Sequence, residues 1–153
     1  MKMLKSTAAI LTLLFCFNIT SAQEEEMTPK KYENPEYYMV SYVKFHPGKS
    51  GEAKKIIDEY FIPTSQQAGT DGPVMHLNMI TGEWDMMIVW HMKEGLESLN
   101  WEMSPDDIKW EKAFMAMAGG KEKGMDISKQ WESYIKGSKS HLGRKHKPKP
   151  EKQ

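Results

Sequence analysis

Cysteine is nearly missing from this 153-residue chain: the one copy, Cys16, sits in the leading segment. Residues 23–153 therefore offer no disulfide framework, no thiol nucleophile and no thiolate metal site. An excess of either charge is also missing. Lys and Arg number 21 and Asp and Glu number 21, which excludes the overall basic character of a nucleic-acid binder. No apolar run is long enough to span a bilayer, and Ala8–Phe17 stops at ten residues. The chain has no GxGxxG, P-loop, GxSxG, HExxH, EF-hand or CxxC pattern, so nucleotide and zinc-hydrolase chemistry lose their usual supports.

What is present begins with an export pattern. Lys2 and Lys5 precede the short apolar run, and Thr20-Ser21-Ala22 gives a small-residue cleavage context before Gln23. The expected organisation is a signal peptide over 1–22, a flexible acidic segment over 23–35, a folded domain over 36–142 and a basic disordered tail over 143–153. The mature protein is expected to be periplasmic or secreted, with no stable membrane insertion once the signal is removed. Charge is uneven along it: residues 35–137 carry 11 Lys and 16 acids, whereas 138–153 carry five Lys and Arg144 against one Glu. No aromatic is interleaved with the tail's charges, as stacking on single-stranded nucleic acid would require. No nucleic-acid partner is expected.

Tyr37–Phe45 is rich in β-branched and aromatic residues and reads as a strand. Ala53, Ile56, Ile57, Tyr60 and Phe61 fall on one helical face, and Pro63 limits that helix, with at most another turn through Gln67. Val74–Thr81 and Trp84–Met92 read as two strands flanking Gly82-Glu83, with Gly at the position a type II′ turn demands. A two-residue turn there pairs Met75 with Trp90, His76 with Val89 and Asn78 with Met87. One face then carries Met75, Leu77, Met79, Met86, Ile88 and Trp90. The other gathers His76, Asn78, Asp85 and His91 among Val74, Ile80, Met87 and Val89. Ser104-Pro105-Asp106-Asp107 is a strong helix start, Trp110, Ala113, Phe114, Met117 and Ala118 give its stripe, and Gly119-Gly120 stops it. A further helix is expected over about Asp126–Lys136, and Ser138–Arg144 reads as a short last strand.

The order strand, helix, strand, strand, helix gives an α+β, ferredoxin-like βαββα(β) arrangement with an extra C-terminal helix. On Val43–Lys49, the amphipathic helix that follows and the 74–92 hairpin, the chain resembles the dimeric α/β-barrel superfamily, which contains the antibiotic-biosynthesis-type monooxygenases. The resemblance covers about residues 36–118. It implies a homodimer with two sheets packed face to face, and a small pocket between sheet and helices in each subunit. Some cofactor-independent or haem-degrading members place Asn, Trp and His around that pocket. Asn78, Trp90, Trp110, His76 and His91 supply those residue types here.

From the residues themselves, His76 and His91 become diagonal neighbours in the register above, close to Asn78, Asp85 and Tyr42. Neutral imidazole can accept a proton or ligate a metal. The candidate catalytic residues are thus His76, His91 and Asn78. The candidate ligand-binding residues are His76, Asn78, Asp85, His91, Trp90, Trp110 and Tyr42. No metal site is predicted. Met75, Met79, Met86, Met87, Met92 and Met103 cluster within one stretch, and thioethers suit Cu(I), but core packing and an adaptable apolar lining explain them as well. No cofactor is predicted, with haem and copper as the alternatives. The expected function is binding of a small, largely apolar molecule; the competing readings are a monooxygenase-like or haem-handling enzyme and an envelope interaction module.

Overall fold

A computed structural model describes residues 27–148. The expected signal peptide and its cleavage point lie outside the described residues, as do tail positions 149–153. Four strands are present: β1 (Tyr37–Phe45), β2 (Met75–Asn78), β3 (Met86–Met92) and β4 (Ile135–Arg144). They form one antiparallel sheet in the order β2-β3-β1-β4, the strand order of a ferredoxin-like fold. Four α-helices accompany them: α1 (Ser50–Ile56), α2 (Ile62–Ala68), α3 (Pro105–Met117) and α4 (Lys121–Tyr134). The expected α+β class holds. The additional helix, α4, precedes the last strand and runs straight into it.

Pro63 does not end the first helix. A π-helical segment, Ile57–Phe61, joins α1 to α2, and the Ile62 amide donates to the Ile57 carbonyl five residues back. Proline lacks an amide and its ring crowds the carbonyl four residues earlier; the wider π turn just before it relieves both demands. The helix continues to Gly69, which closes it in the left-handed region at φ 64°. α3 begins as its sequence dictates. Ser104 Oγ accepts from the Asp107 amide at 3.1 Å while Asp107 Oδ2 accepts from the Ser104 amide at 2.8 Å, a reciprocal capping box. At Gly124 of α4 a Cβ would meet the Met115 sulfur, so α4 and α3 approach closely there and a larger residue would require Met115 to shift.

The sheet has two unlike faces. Val43 and Phe45 of β1 and Met86 of β3 are buried against Ala53, Ile56 and Ile57 of the helix and Tyr134 of α4. Residues directly opposite in an antiparallel pair share a face. The helix-covered face therefore also carries Ser41, Ile88, Trp90, His76 and Asn78. The opposite face carries Tyr38, Val40, Tyr42, Met87, Val89, His91, Met75 and Leu77, with Lys139 and His141 of β4 at its edge.

Two expectations are corrected here. The β2–β3 connection is not a two-residue turn. Pairing runs Asn78 to Met86 and His76 to Ile88, one residue out of the expected register, and the Met79 amide closes the loop on the Asp85 carbonyl at 2.9 Å. Asp85 is bonded on both sides of this junction. Its amide donates to the Val43 carbonyl at 3.0 Å, and its carboxylate accepts the Phe45 amide at 2.7 Å, across the irregularity where β1 shifts register against β4. A one-residue slip sends every side chain of the slipped strand to the other face.

The second correction concerns the domain boundary at residue 142. β4 runs through Arg144, and the Lys145 amide donates to the Glu36 carbonyl at 2.9 Å. The Glu36 carboxylate takes Lys147 Nζ at 2.9 Å, Lys145 Nζ at 3.0 Å and the Tyr38 hydroxyl at 3.0 Å. Those three donors, Lys147 foremost, hold its pKa down to about 2 from the usual 4.5. A depressed carboxyl contributes its anchoring above the unfolded value and loses it as pH falls through the folded one. Amide exchange at Lys145 should therefore accelerate as pH falls from 4.5 toward 2, beyond the intrinsic pH dependence. Glu36→Gln should expose Arg144 and Lys145 to trypsin several-fold faster at neutral pH without moving the melting temperature. Equal cleavage rates would show that the lysines do not anchor the tail.

Candidate functional site

The helix-covered face leaves a gap towards the β2 edge. Ile57, Phe61 and Ser65 recur every four residues along the first helix and form one wall. Ile88, Trp90 and His76 of the sheet form the other, and Trp110 of α3 and Trp131 of α4 close the end. The chamber, open on one side to solvent, is about 470 Å³. This is the size range of small-molecule sites.

Its aromatic side chains are fixed by packing. Phe61 meets Trp110 at 5.7 Å, Phe114 at 5.8 Å and Trp131 at 5.2 Å, all edge-on, and Trp110 stacks on Phe114 at 5.0 Å. Edge-to-face and offset contacts are the arrangements that ring quadrupoles favour. The Trp110 indole N–H donates to Ser65 Oγ at 3.0 Å, which satisfies the indole and sets its tilt. His76 is the one titratable side chain among the lining residues. At the far wall, Thr70 Oγ1 is buried and has no hydrogen-bond partner, alone in this among buried side-chain polar atoms of the described residues. Such a group is normally satisfied by water or a ligand.

Through Ser65, Thr70, Trp90 and Trp110 the chamber adjoins a second space of about 640 Å³. This vestibule is bounded by the loop 71–74, the end of β3, the 3₁₀ turn Gly95–Asn100 and the start of α3. It is polar. Lys93 pairs with Asp71, whose carboxylate raises the ammonium's pKa. Asp106 pairs with Lys109 at 2.8 Å, which lowers the carboxyl. Glu94 accepts the Trp101 indole N–H at 2.9 Å.

The sequence-derived candidates are thus divided. His76, Trp90 and Trp110 line the chamber. Asn78 shares the His76 face but does not line it. Asp85 is spent on the β1 backbone. His91 lies across from Tyr38 on the open face, its ring 5.1 Å from the tyrosine, and borders only the vestibule. Tyr42 is also on the open face, 6.0 Å from Trp84 and 6.3 Å from His141. The expected quartet of His76, Asn78, Asp85 and His91 does not assemble, because the register slip moves β2 relative to β3. Phe61, Ser65, Thr70 and Trp131 were not among the candidates. Ser65 extends the apolar helical stripe as a polar residue, so the pattern of apolar positions alone does not pick it out, although Ile57-Phe61-Ser65 recur on one face. Among the described residues no three metal-ligating side chains converge, and no helix is long and apolar enough to cross a membrane.

No protein-family model matches the chain, and no curated protein matches it. Similar solved structures exist. A NIPSNAP family protein of unknown function from Agrobacterium tumefaciens str. C58 is 12% identical, covering 78% of this chain and 96% of its own, at a TM-score of 0.49. An uncharacterised NIPSNAP domain protein from Burkholderia xenovorans is 12% identical over 76% of this chain and 99% of its own, at 0.48. A second Agrobacterium tumefaciens NIPSNAP family protein is 11% identical over 70% and 90%, at 0.45.

Proposed function

We propose that this chain is a small-molecule-binding domain that takes a small, largely apolar ring in the tryptophan chamber. The observation that carries the reading is the chamber itself: indole and phenyl walls, one imidazole and one unpartnered buried hydroxyl. Convergence of a few polar groups on an apolar hollow is the general form of a ligand site. Thr70 Oγ1 supplies a hydrogen bond to a polar atom of the ligand, and His76 supplies another. The leading segment fits export to the periplasm or beyond. The apolar open face of the sheet fits a homodimer built by stacking two such faces, as in the dimeric α/β-barrel superfamily. An enzymatic reading, oxygenase-like or haem-handling, is favoured only by His76, the chamber's single imidazole.

The test is calorimetric titration with 2-naphthylmethanol, a neutral ring with one hydroxyl. A ligand of that size should bind with a Kd on the order of 10–100 µM. Gly72 stands in the wall, its φ is ordinary and a Cβ there meets nothing within 4 Å. Gly72→Leu should keep the fold and weaken binding roughly tenfold, the equivalent of about 1.4 kcal/mol. Absence of any binding heat or thermal shift with the wild-type protein would overturn the binding reading.

A further inference from the structure

The chamber and the vestibule adjoin along Ser65, Thr70, Gly72, Pro73, Trp90 and Trp110, and their chemistries differ. The vestibule is lined by Asp71, Glu94, Asp106 and Asp107 against a single cation, Lys93. Three of these carboxylates are occupied. Asp71 faces Lys93, Asp106 faces Lys109, and Asp107 caps α3. Glu94 is different: its partner is the neutral indole N–H of Trp101, and among the described residues no cation lies within ion-pair distance of it.

Two indoles share the vestibule with this carboxylate. Trp101 is 49% exposed and Trp90 41%, and both line the vestibule. Tryptophan is normally well buried, and an exposed indole face attracts cations through its quadrupole. Independently, the orphaned Thr70 hydroxyl sits at the wall common to both spaces and lacks the partner that a bound molecule would provide.

We propose that the site takes an amphipathic cation, with an apolar ring in the chamber and an ammonium head in the vestibule between Glu94 and the indoles of Trp90 and Trp101. The assignment rests on the chamber being a ligand site. A carboxylate head would meet Glu94 and Asp107 and be repelled. A neutral head would forfeit both the Coulombic and the cation–π attraction.

Three probes sharing one ring decide it: (2-naphthylmethyl)trimethylammonium, 2-naphthylmethanol and 2-naphthylacetate, each titrated into the full protein by calorimetry at low salt. The cation should bind about tenfold tighter than the alcohol, as an attraction of one to two kcal/mol requires, and the carboxylate weakest of all. The preference should shrink when salt is raised to about 0.5 M. Glu94→Gln keeps an acceptor for the Trp101 indole, so it preserves the local structure; it should abolish most of the preference and leave the alcohol's affinity unchanged. Equal affinity for cation and alcohol, or a preference that survives Glu94→Gln, overturns the cationic assignment while leaving the chamber as a site. Binding of none of the three overturns both.

Discussion

Phe114→Ala should lower the melting temperature by roughly 10–20 °C. Phe114 is 1% exposed and is the largest fully buried side chain of the described residues. It lies under the aromatic cluster, stacked on Trp110 and met edge-on by Phe61 and by Tyr60 at 6.4 Å. Truncation removes the transfer energy of a phenyl ring and leaves a hole that rings on three sides cannot collapse to fill. Such changes cost about 3–5 kcal/mol, against a total stability of about 5–15 kcal/mol. One kcal/mol shifts the transition of a domain this size by about 3–5 °C. Phe114→Leu, which keeps most of the volume, should cost about 1 kcal/mol. Differential scanning calorimetry on the pair separates a cavity effect from a general intolerance of the site. An alanine variant melting within about 3 °C of wild type would mean that the cluster closes over the gap. The same substitution should weaken naphthylmethanol binding, since Trp110 loses the ring that sets its plane.

That cluster also shows how far sequence reasoning reaches. Phe61, Trp110 and Phe114 stand at helical spacing, and the helix carrying two of them announces its start through Ser104, Pro105 and Asp107 alone; local chemistry settles such elements. β1 is equally plain, since Tyr37–Phe45 is dense in the β-branched and aromatic residues that suit a strand. β4 is not. Ile135–Arg144 is built of Lys, Gly, Ser and His, with little intrinsic strand preference, and it becomes a strand because β1 offers it a free edge along nearly its whole length. The site was legible by residue type but not by placement. Tryptophan and histidine do line the chamber, yet which histidine faces the helices depends on the β2–β3 register, and at the end of that pairing Asp85 binds a strand residue 40 positions away in sequence. A carboxylate that clamps a backbone amide looks the same in sequence as one that lines a pocket.

The slip has a consequence for assembly. By turning Met75 and Leu77 away from the helices, it places them on the open face, Met75 in line with Val89 and Val40 and Leu77 in line with Met87 and Tyr42, where they remain 48% and 46% exposed. Had β2 kept the expected register, His76 and Asn78 would stand there instead, and the face would be wetter and less adhesive. In the proposed homodimer this apolar row meets its copy, and Val89 lies at the middle of it. Val89→Lys should then convert the dimer into a monomer. Each subunit would bring an ammonium into a dry centre, at a cost of several kcal/mol per ion, so the dimer dissociation constant should rise by at least about a thousandfold. The isolated subunit should be little disturbed, because its open face lets the lysine extend into water, and its circular dichroism and chamber binding should match wild type. Sedimentation velocity across micromolar concentrations reads the result directly. A wild-type protein that sediments as a monomer throughout that range would sink the proposed pairing, and the open face would then have to be kept soluble by something other than a second copy.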